Sequence, residues 1–183
     1  MSPVLVASPF TGRYVVDPDH SSFGFAVRHM GISTFRGSFA EITADVEADE
    51  HGALRITGAA AVESLSVRSP LDLRTHLLGD EFFDVARQPE ITFASGPAQP
   101  AEGQRITVPG VLTIRNVARD VVAAGTWTSP VEDPFGGVRA ALELTTTIDR
   151  RDFGMTWNMP LPRGGDALGA EVEISAHLEL LAA

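Results

Sequence analysis

Five histidines come first among the residues that could do chemistry, because imidazole is the commonest acid–base and metal-binding group near neutral pH. His20 stands between Asp19 and Ser21, residue types that together resemble a catalytic triad. Triad members meet in space, however, and neighbours along a strand or turn do not face one another. The histidines also lack the H-x-x-x-H and H-E-x-x-H spacings of helical zinc sites. The sequence therefore predicts no catalytic residue and no metal site.

Charged residues cluster at Asp149, Arg150, Arg151 and Asp152. Two interpretations are open for this segment. It is either the charged end of a strand with local ion pairs, or a place where an arginine binds the polar head of a ligand.

Composition excludes several classes of function. The chain has no cysteine and all of its basic residues are arginine, so thiol and lysine-nucleophile chemistry are both impossible. A net charge of −10 repels phosphate backbones, which excludes nucleic acid as a favoured partner. No apolar run approaches the roughly 18 residues of a membrane-spanning helix, so no membrane insertion is expected. No cofactor is predicted.

The N-terminal residues bear on localisation. Residues 1–10 lack the basic start and apolar core of a secretory signal, and Pro3 and Pro9 interrupt them. We therefore expect a cytoplasmic protein, with a periplasmic or secreted location only if a leader has been removed.

Apolar residues alternate with polar ones through most of the chain, which is typical of strands with one buried face. The clearest run has Val172, Ile174, Ala176, Leu178 and Leu180 on its apolar face. The phase switches near residues 40–41, which predicts a bulge there. Hairpin turns are predicted at residues 49–52, 97–103 and 133–137.

One helix interrupts the strands. Ser69 is the predicted N-cap, Pro70 the first helical residue and Gly79 the residue after the end. Eight or nine strands with a single helix predict an all-β protein, either a closed barrel or a sandwich. Residues 12–183 are expected to form one domain, preceded by an N-terminal extension of residues 1–11.

The size of the inward residues favours a cavity. An eight-stranded barrel either is filled by side chains or holds one small ligand. Several inward positions are small, namely Gly58, Ala60, Gly110, Ala140 and Ala176. We therefore expect a shaped apolar cavity in place of a solid core.

Several strings together resemble the YceI-like family of lipocalin-like, polyisoprenoid-binding proteins. The resemblance extends over roughly residues 12–181, in the family's order and spacing. The strings that carry it are residues 14–21, 23–32, 35–39, 74–77, 82–84, 89–93, 110–115 and 148–154.

The resemblance implies a lipocalin-like, eight-stranded antiparallel β-barrel closed by a helix, which binds and carries an isoprenoid or fatty amphiphile without chemistry. It also implies a possible homodimer. The predicted ligand-binding residues are Phe23, Phe25, Val27, His29, Phe35, Phe39, Leu77, Phe82, Phe83, Ile91, Phe93, Leu112, Ile114, Leu142, Phe153 and Trp157.

Three alternatives remain open at this stage. His29 is either a hydrogen-bonded core histidine or a group that contacts the ligand's polar head. The barrel could instead carry an enzyme with His29 as acid or base. It could also be a solid-core interaction module that works through its surface. Separately, the apolar residues of the helix segment either cap the cavity or fill the core beneath the helix, and both can hold at once; they are Leu73, Leu77, Phe82 and Phe83.

Overall fold

The computed structural model describes residues 6–183 as eleven strands with one α-helix. The strands are β1 (Gly12–Val16), β2 (Ser22–His29), β3 (Ser33–Phe39), β4 (Ile42–Ala48), β5 (Leu54–Ala61), β6 (Glu90–Ser95), β7 (Pro100–Ala101), β8 (Arg105–Ile114), β9 (Val117–Glu132), β10 (Val138–Asp149) and β11 (Leu168–Ala182). The helix α1 (Leu71–Leu78) lies between β5 and β6. No helix in this part of the chain has the length and apolar character needed to cross a bilayer.

The sheet closes on itself through β1. Hydrogen-bonded neighbours run in the order β1, β4, β5, β6, β8, β9, β10 and β11, and β11 pairs again with β1. All of these pairings are antiparallel. The ring confirms the predicted eight-stranded antiparallel barrel with one interrupting helix.

The long strand β11 changes its partner along its length. Its C-terminal end pairs with β1, and its N-terminal half pairs with β2. The hairpin of β2 and β3 therefore extends the barrel wall past the ring. Strand β3 ends at Phe39 and β4 begins at Ile42, and the two strands pair with different neighbours. The phase change at residues 40–41 therefore marks a break between two strands, and the predicted bulge is wrong.

The inward faces follow the predicted alternation because one face of each strand is buried. In β8, Ile106 and Val108 are buried between exposed neighbours, and Leu112 is buried further along the same face. Pro109 pairs with Val122 without a change of register, so the proline does not interrupt the strand. The predicted turns at residues 49–52 and 133–137 are also present as backbone-bonded turns.

One end of the barrel is filled by a solid core. Phe10, which is 1% exposed, packs edge-on against Tyr14 and Trp127 at centroid distances of 5.6 and 6.1 Å. Residues 1–5 of the expected N-terminal extension lie outside the described residues. The remainder of that segment packs onto this filled end through Phe10 and contributes to the core.

The helix covers the other end, with a start that differs from the prediction. Its N-cap is Pro70, because the Pro70 carbonyl accepts the first helical hydrogen bond, from the Arg74 backbone N–H. The predicted cap Ser69 makes no side-chain capping bond at this helix end. Gly79 is the C-cap, as predicted, and Leu77 is the buried residue of the helix.

Candidate ligand-binding cavity

A cavity of about 300 Å³ lies between α1 and the open half of the barrel. Its wall is almost entirely apolar because the inward faces of β2, β3, β10 and β11 meet the helix segment there. The predicted residues on this wall are Phe23, Phe25, Val27, His29, Phe35, Phe39, Leu77, Phe82, Phe83, Ile91, Ile114 and Trp157. Whether each of them touches a ligand stays a prediction.

Aromatic rings make up one side of the cavity. The ring of Phe25 lies 6.0 Å from those of Phe39 and Phe83 and 6.2 Å from that of Phe35. Gly37 is paired with Phe25 across the hairpin, and a methyl group at Gly37 would lie 2.5 Å from Cζ of that ring. The missing side chain thus lets the ring lie flat against β3 and leaves space in the cavity.

A second aromatic group closes the helix side. The His76 ring packs edge-on against Phe82 and Trp157 at centroid distances of 4.9 and 4.8 Å. His76 Nε2 also lies 2.8 Å from a carboxylate oxygen of Glu81. Because Glu81 lies beyond the helix end, this contact ties α1 to the following turn and fixes the histidine on the wall.

A smaller apolar cavity of about 100 Å³ lies deeper in the barrel. Phe23, Ile91 and Ile174 belong to the walls of both cavities and separate the two spaces. The predicted residues Phe93 and Leu112 line this smaller cavity. The interior is therefore hollow in two adjacent regions, and the solid-core alternative is wrong.

Arg150 is the charged residue of the larger cavity's wall. The whole residue is 4% exposed, and its guanidinium donates to the backbone carbonyls of Gly169, Met155, Trp157 and Leu168. Burial lowers the pKa of this guanidinium from its ordinary value. Its neighbour Arg151 instead pairs with Asp149 at the surface.

Four predictions about particular residues need correction. His29 is exposed at the rim of the larger cavity, so it is not a core histidine. Leu142 and Phe153 are buried in the core and line neither apolar cavity. The segment 149–152 is not simply a charged strand end, because Arg150 points inward.

Among the wall residues outside the predicted set are two with polar side chains, His76 and Arg150, and the sequence carried a signal for each. His76 lies three residues after Leu73 and one before Leu77, which places all three on one helix face. Arg150 continues the even-numbered inward positions of β10 after Leu144 and Ile148. A polar side chain at an inward position contradicts the expectation of an apolar interior, although one of the two interpretations of residues 149–152 already included a ligand-binding arginine.

An ion-pair network lies near the filled end. Arg139 contacts Asp17, Asp133 and Glu179, and His20 Nδ1 lies 3.0 Å from an Asp17 oxygen. The Arg139 and His20 contacts lower the pKa of Asp17 to about 2, and the Asp17 carboxylate raises the pKa of His20.

Ligand atoms of Asp17, His20 and Glu179 approach one another closely enough to hold a metal ion. The Arg139 guanidinium, however, already donates to both carboxylates there. The hydroxyl of Ser21 donates to the Glu179 carbonyl and not to His20. Asp19, His20 and Ser21 therefore do not have the hydrogen bonds of a catalytic triad. The contacts present are those of an ion-pair network in which the Arg139 guanidinium lies between the two carboxylates.

A closed antiparallel barrel with an apolar interior and a helix at one end defines the lipocalin-like class of fold. The model of the YceI-like domain matches residues 14–180, and the chain belongs to this family. The resemblance seen in the sequence is thereby confirmed.

Relatives and solved structures agree with this assignment. A UPF0312 protein of Shewanella sp. is 30% identical over 149 residues, which cover 80% of this chain and 78% of the relative. The crystal structure of BcnA from Burkholderia cenocepacia is similar with a TM-score of 0.74 and 23% identity, covering 90% and 98% of the two chains.

A third similar structure is a polyisoprenoid-binding domain from Saccharophagus degradans, which is implicated in plant cell wall breakdown. Its TM-score is 0.65 at 12% identity, and the match covers 93% of this chain and 98% of that domain. At these identities the two structures show the shared fold alone.

Proposed function

We propose that this protein binds and carries a long-chain apolar amphiphile, a polyisoprenoid or similar lipid, in the larger cavity and performs no chemistry on it. The observation that supports this most directly is a space of about 300 Å³ walled by aromatic and aliphatic side chains. An apolar cavity with a few polar groups at its mouth is the usual form of a lipid site. The polyisoprenoid-binding domain of similar fold agrees with this choice of ligand.

The size of the cavity indicates how much of a tail it holds. A methylene group is similar in size to a water molecule, whose share of liquid volume is about 30 Å³. A space of about 300 Å³ therefore accommodates roughly ten carbon atoms, or two isoprene units. Burial of ten such groups at about 0.8 kcal/mol each supplies up to about 8 kcal/mol before ordering costs are subtracted.

The surroundings of His29 support binding without catalysis. Within the part of the chain that the structure describes, no side-chain hydrogen bond orients the His29 ring. General acid–base catalysis needs a group held within hydrogen-bond reach of its substrate, commonly by a second residue. At the exposed rim, His29 is placed to meet the ligand's polar end.

Two experiments test the proposal. Native mass spectrometry of the purified protein, before and after extraction with organic solvent, should reveal a bound lipid that the solvent removes. Titration with geraniol, a ten-carbon isoprenoid alcohol, should show saturable binding to the extracted protein. A single geraniol site agrees with the proposal, and absence of both a retained lipid and geraniol binding would overturn it.

Two matched substitutions place the ligand within the protein. Val172 is half-buried and lines the larger cavity, whereas Val122 is 59% exposed on β9 and lines neither apolar cavity. Val172→Trp should abolish geraniol binding because the indole occupies the cavity. Val122→Trp should leave binding unchanged. Equal binding by the two folded variants would contradict the proposed location.

A further inference from the structure

We propose that the polar head of the bound amphiphile is anionic, a carboxylate or a phosphate, and that Arg150 is the residue that pairs with it. This inference rests on the proposed function and specifies the class of ligand. Three features of Arg150 support it: the burial of its charge, its hydrogen bonds, and its position between two cavities.

The first feature is a buried charge without a counter-ion. Arg150 is 4% exposed, yet among residues 6–183 no carboxylate lies within ion-pair distance of it. Its guanidinium is held instead by neutral carbonyl groups, at 2.8 Å from Nε to Gly169 and 2.8 Å from Nη1 to Trp157. Buried charges are normally paired, because removing an ion from water is costly. An anion at this position would supply the missing charge.

The second feature is unused donor capacity. A guanidinium has five N–H groups, and the carbonyls of Gly169, Met155, Trp157 and Leu168 accept four of them. The bond from Nη2 to Leu168 is long, at 3.4 Å. Nη2 therefore keeps one N–H without an acceptor in the described chain, together with one weakly bonded N–H. Two such donors on one nitrogen suit an oxygen of a carboxylate or phosphate.

The third feature is a polar pocket of about 440 Å³ on the other side of Arg150. Arg150 and Leu168 belong to the walls of both this pocket and the larger apolar cavity. Arg28, Arg151, Asn158 and Asp166 also line the polar pocket. An amphiphile that crosses this shared wall has its tail among aromatic rings and its head among arginines.

Asp149 and Asp166 act on Arg150 only from beyond ion-pair distance. A neutral head such as an alcohol would also accept a hydrogen bond, but it would bring no charge into contact with the guanidinium. Hydrogen bonds to charged groups are roughly twice as strong as those between neutral groups. Three ten-carbon ligands with the same tail distinguish the possibilities: geraniol, geranic acid and geranyl phosphate. Isothermal titration of the solvent-extracted protein with each ligand measures the contribution of the head alone.

We expect at least one anion to bind about tenfold or more tightly than geraniol, since a charged hydrogen bond contributes that much. A preference for geranic acid indicates a carboxylate lipid, and a preference for geranyl phosphate indicates a phosphorylated one. Equal affinity for all three ligands would overturn the anionic head and leave lipid binding intact. Failure of all three to bind would instead overturn the proposed function.

Substitution assigns the preference to Arg150. Arg150→Gln should reduce the anion-to-geraniol affinity ratio to near one while geraniol still binds. The control Arg119→Gln removes an exposed arginine on β9 whose side-chain bond goes to the adjacent Ala118 carbonyl, and its ratio should stay at the wild-type value. A folded Arg150→Gln variant that keeps the preference would overturn the role of Arg150. If that variant does not fold, the three-ligand comparison on the wild-type protein still decides the class of head.

Discussion

Gly37→Ala should narrow the larger cavity by moving one aromatic ring. The new methyl carbon would lie 2.5 Å from Cζ and 2.7 Å from Cε1 of Phe25. Carbon atoms in contact prefer separations of about 3.5–4.0 Å, so the ring must move by about 1 Å. The atoms that clash are the far end of a side chain and not backbone, so the ring can leave the surface of β3 and enter the cavity.

The expected loss of affinity follows from the volume displaced. One methyl group occupies about 30 Å³, roughly a tenth of a cavity of about 300 Å³. A ligand that loses contact for one methylene group forfeits about 0.8 kcal/mol, which corresponds to about a fourfold weaker affinity. The free energy of unfolding should fall by no more than about 1–3 kcal/mol, the usual cost of overpacking.

Calorimetric titration with geraniol tests this expectation, with urea unfolding to measure stability. Gly96→Ala is the matched control, because a methyl group there would meet only ordinary contacts, at 3.7 Å and beyond, and Gly96 lines neither apolar cavity. Its affinity should equal that of the wild type. If Gly37→Ala binds geraniol as tightly as the control does, the ring of Phe25 does not set the size of the cavity.

Three further substitutions test other parts of the molecule. Phe23→Ala should join the two cavities and add about 100 Å³ to the space for a ligand. Titration of this variant should therefore show tighter binding of a fifteen-carbon than of a ten-carbon isoprenoid. The control Phe93→Ala should not show this preference, because Phe93 lines only the smaller of the two cavities. Leu142→Ala should lower the free energy of unfolding in urea by about 2–5 kcal/mol. The affinity for geraniol should not change, because Leu142 is fully buried and lines neither apolar cavity. A weaker affinity would show that Leu142 contributes to the binding site. Asp17→Asn tests the ion-pair network. In the folded wild-type protein the pKa of Asp17 is about 2, below the ordinary value of 3.8. The stabilisation that Asp17 contributes is therefore present above pH 3.8 and is lost as the pH falls through 2. The stability difference between wild type and Asp17→Asn should therefore shrink between pH 4 and pH 2, and a difference that grows on acidification would contradict this assignment.

The strands could be predicted well because a strand with one buried face leaves a period of two, whereas the choice of a barrel over a sandwich came from the family resemblance. Pro109 was interpreted correctly, since parity can be followed across it. The phase change at residues 40–41 marks a break between two strands and not the predicted bulge, because parity alone does not distinguish the two. The start of the helix was less certain because Ser69 and Pro70 both suit a helix N-terminus. The position of Phe10 in the core was not predicted, since an irregular segment carries no period.

The site was predictable only in its apolar part. Parity shows that Phe25 and Phe39 face inward but not whether space remains between them, because that depends on ring positions set by Gly37. Parity also places Arg150 inward, yet a charged residue contradicts the expectation that interiors are apolar. His29 shows the opposite error, since the last residue of a strand can share the apolar face and still reach solvent.

The free edge of β3 has a consequence for how a lipid could enter. In the described chain, β3 has a full ladder with β2 alone, and its other side is fastened only near Phe39, by a bridge to Leu65 and bonds to Ser66. The hydrogen-bonded ring through β1, β4 and β11 does not include this hairpin. Outward displacement of the hairpin's tip would therefore widen the entrance while the ring keeps every one of its backbone bonds. Access to the interior and resistance to unfolding thus depend on different sets of bonds.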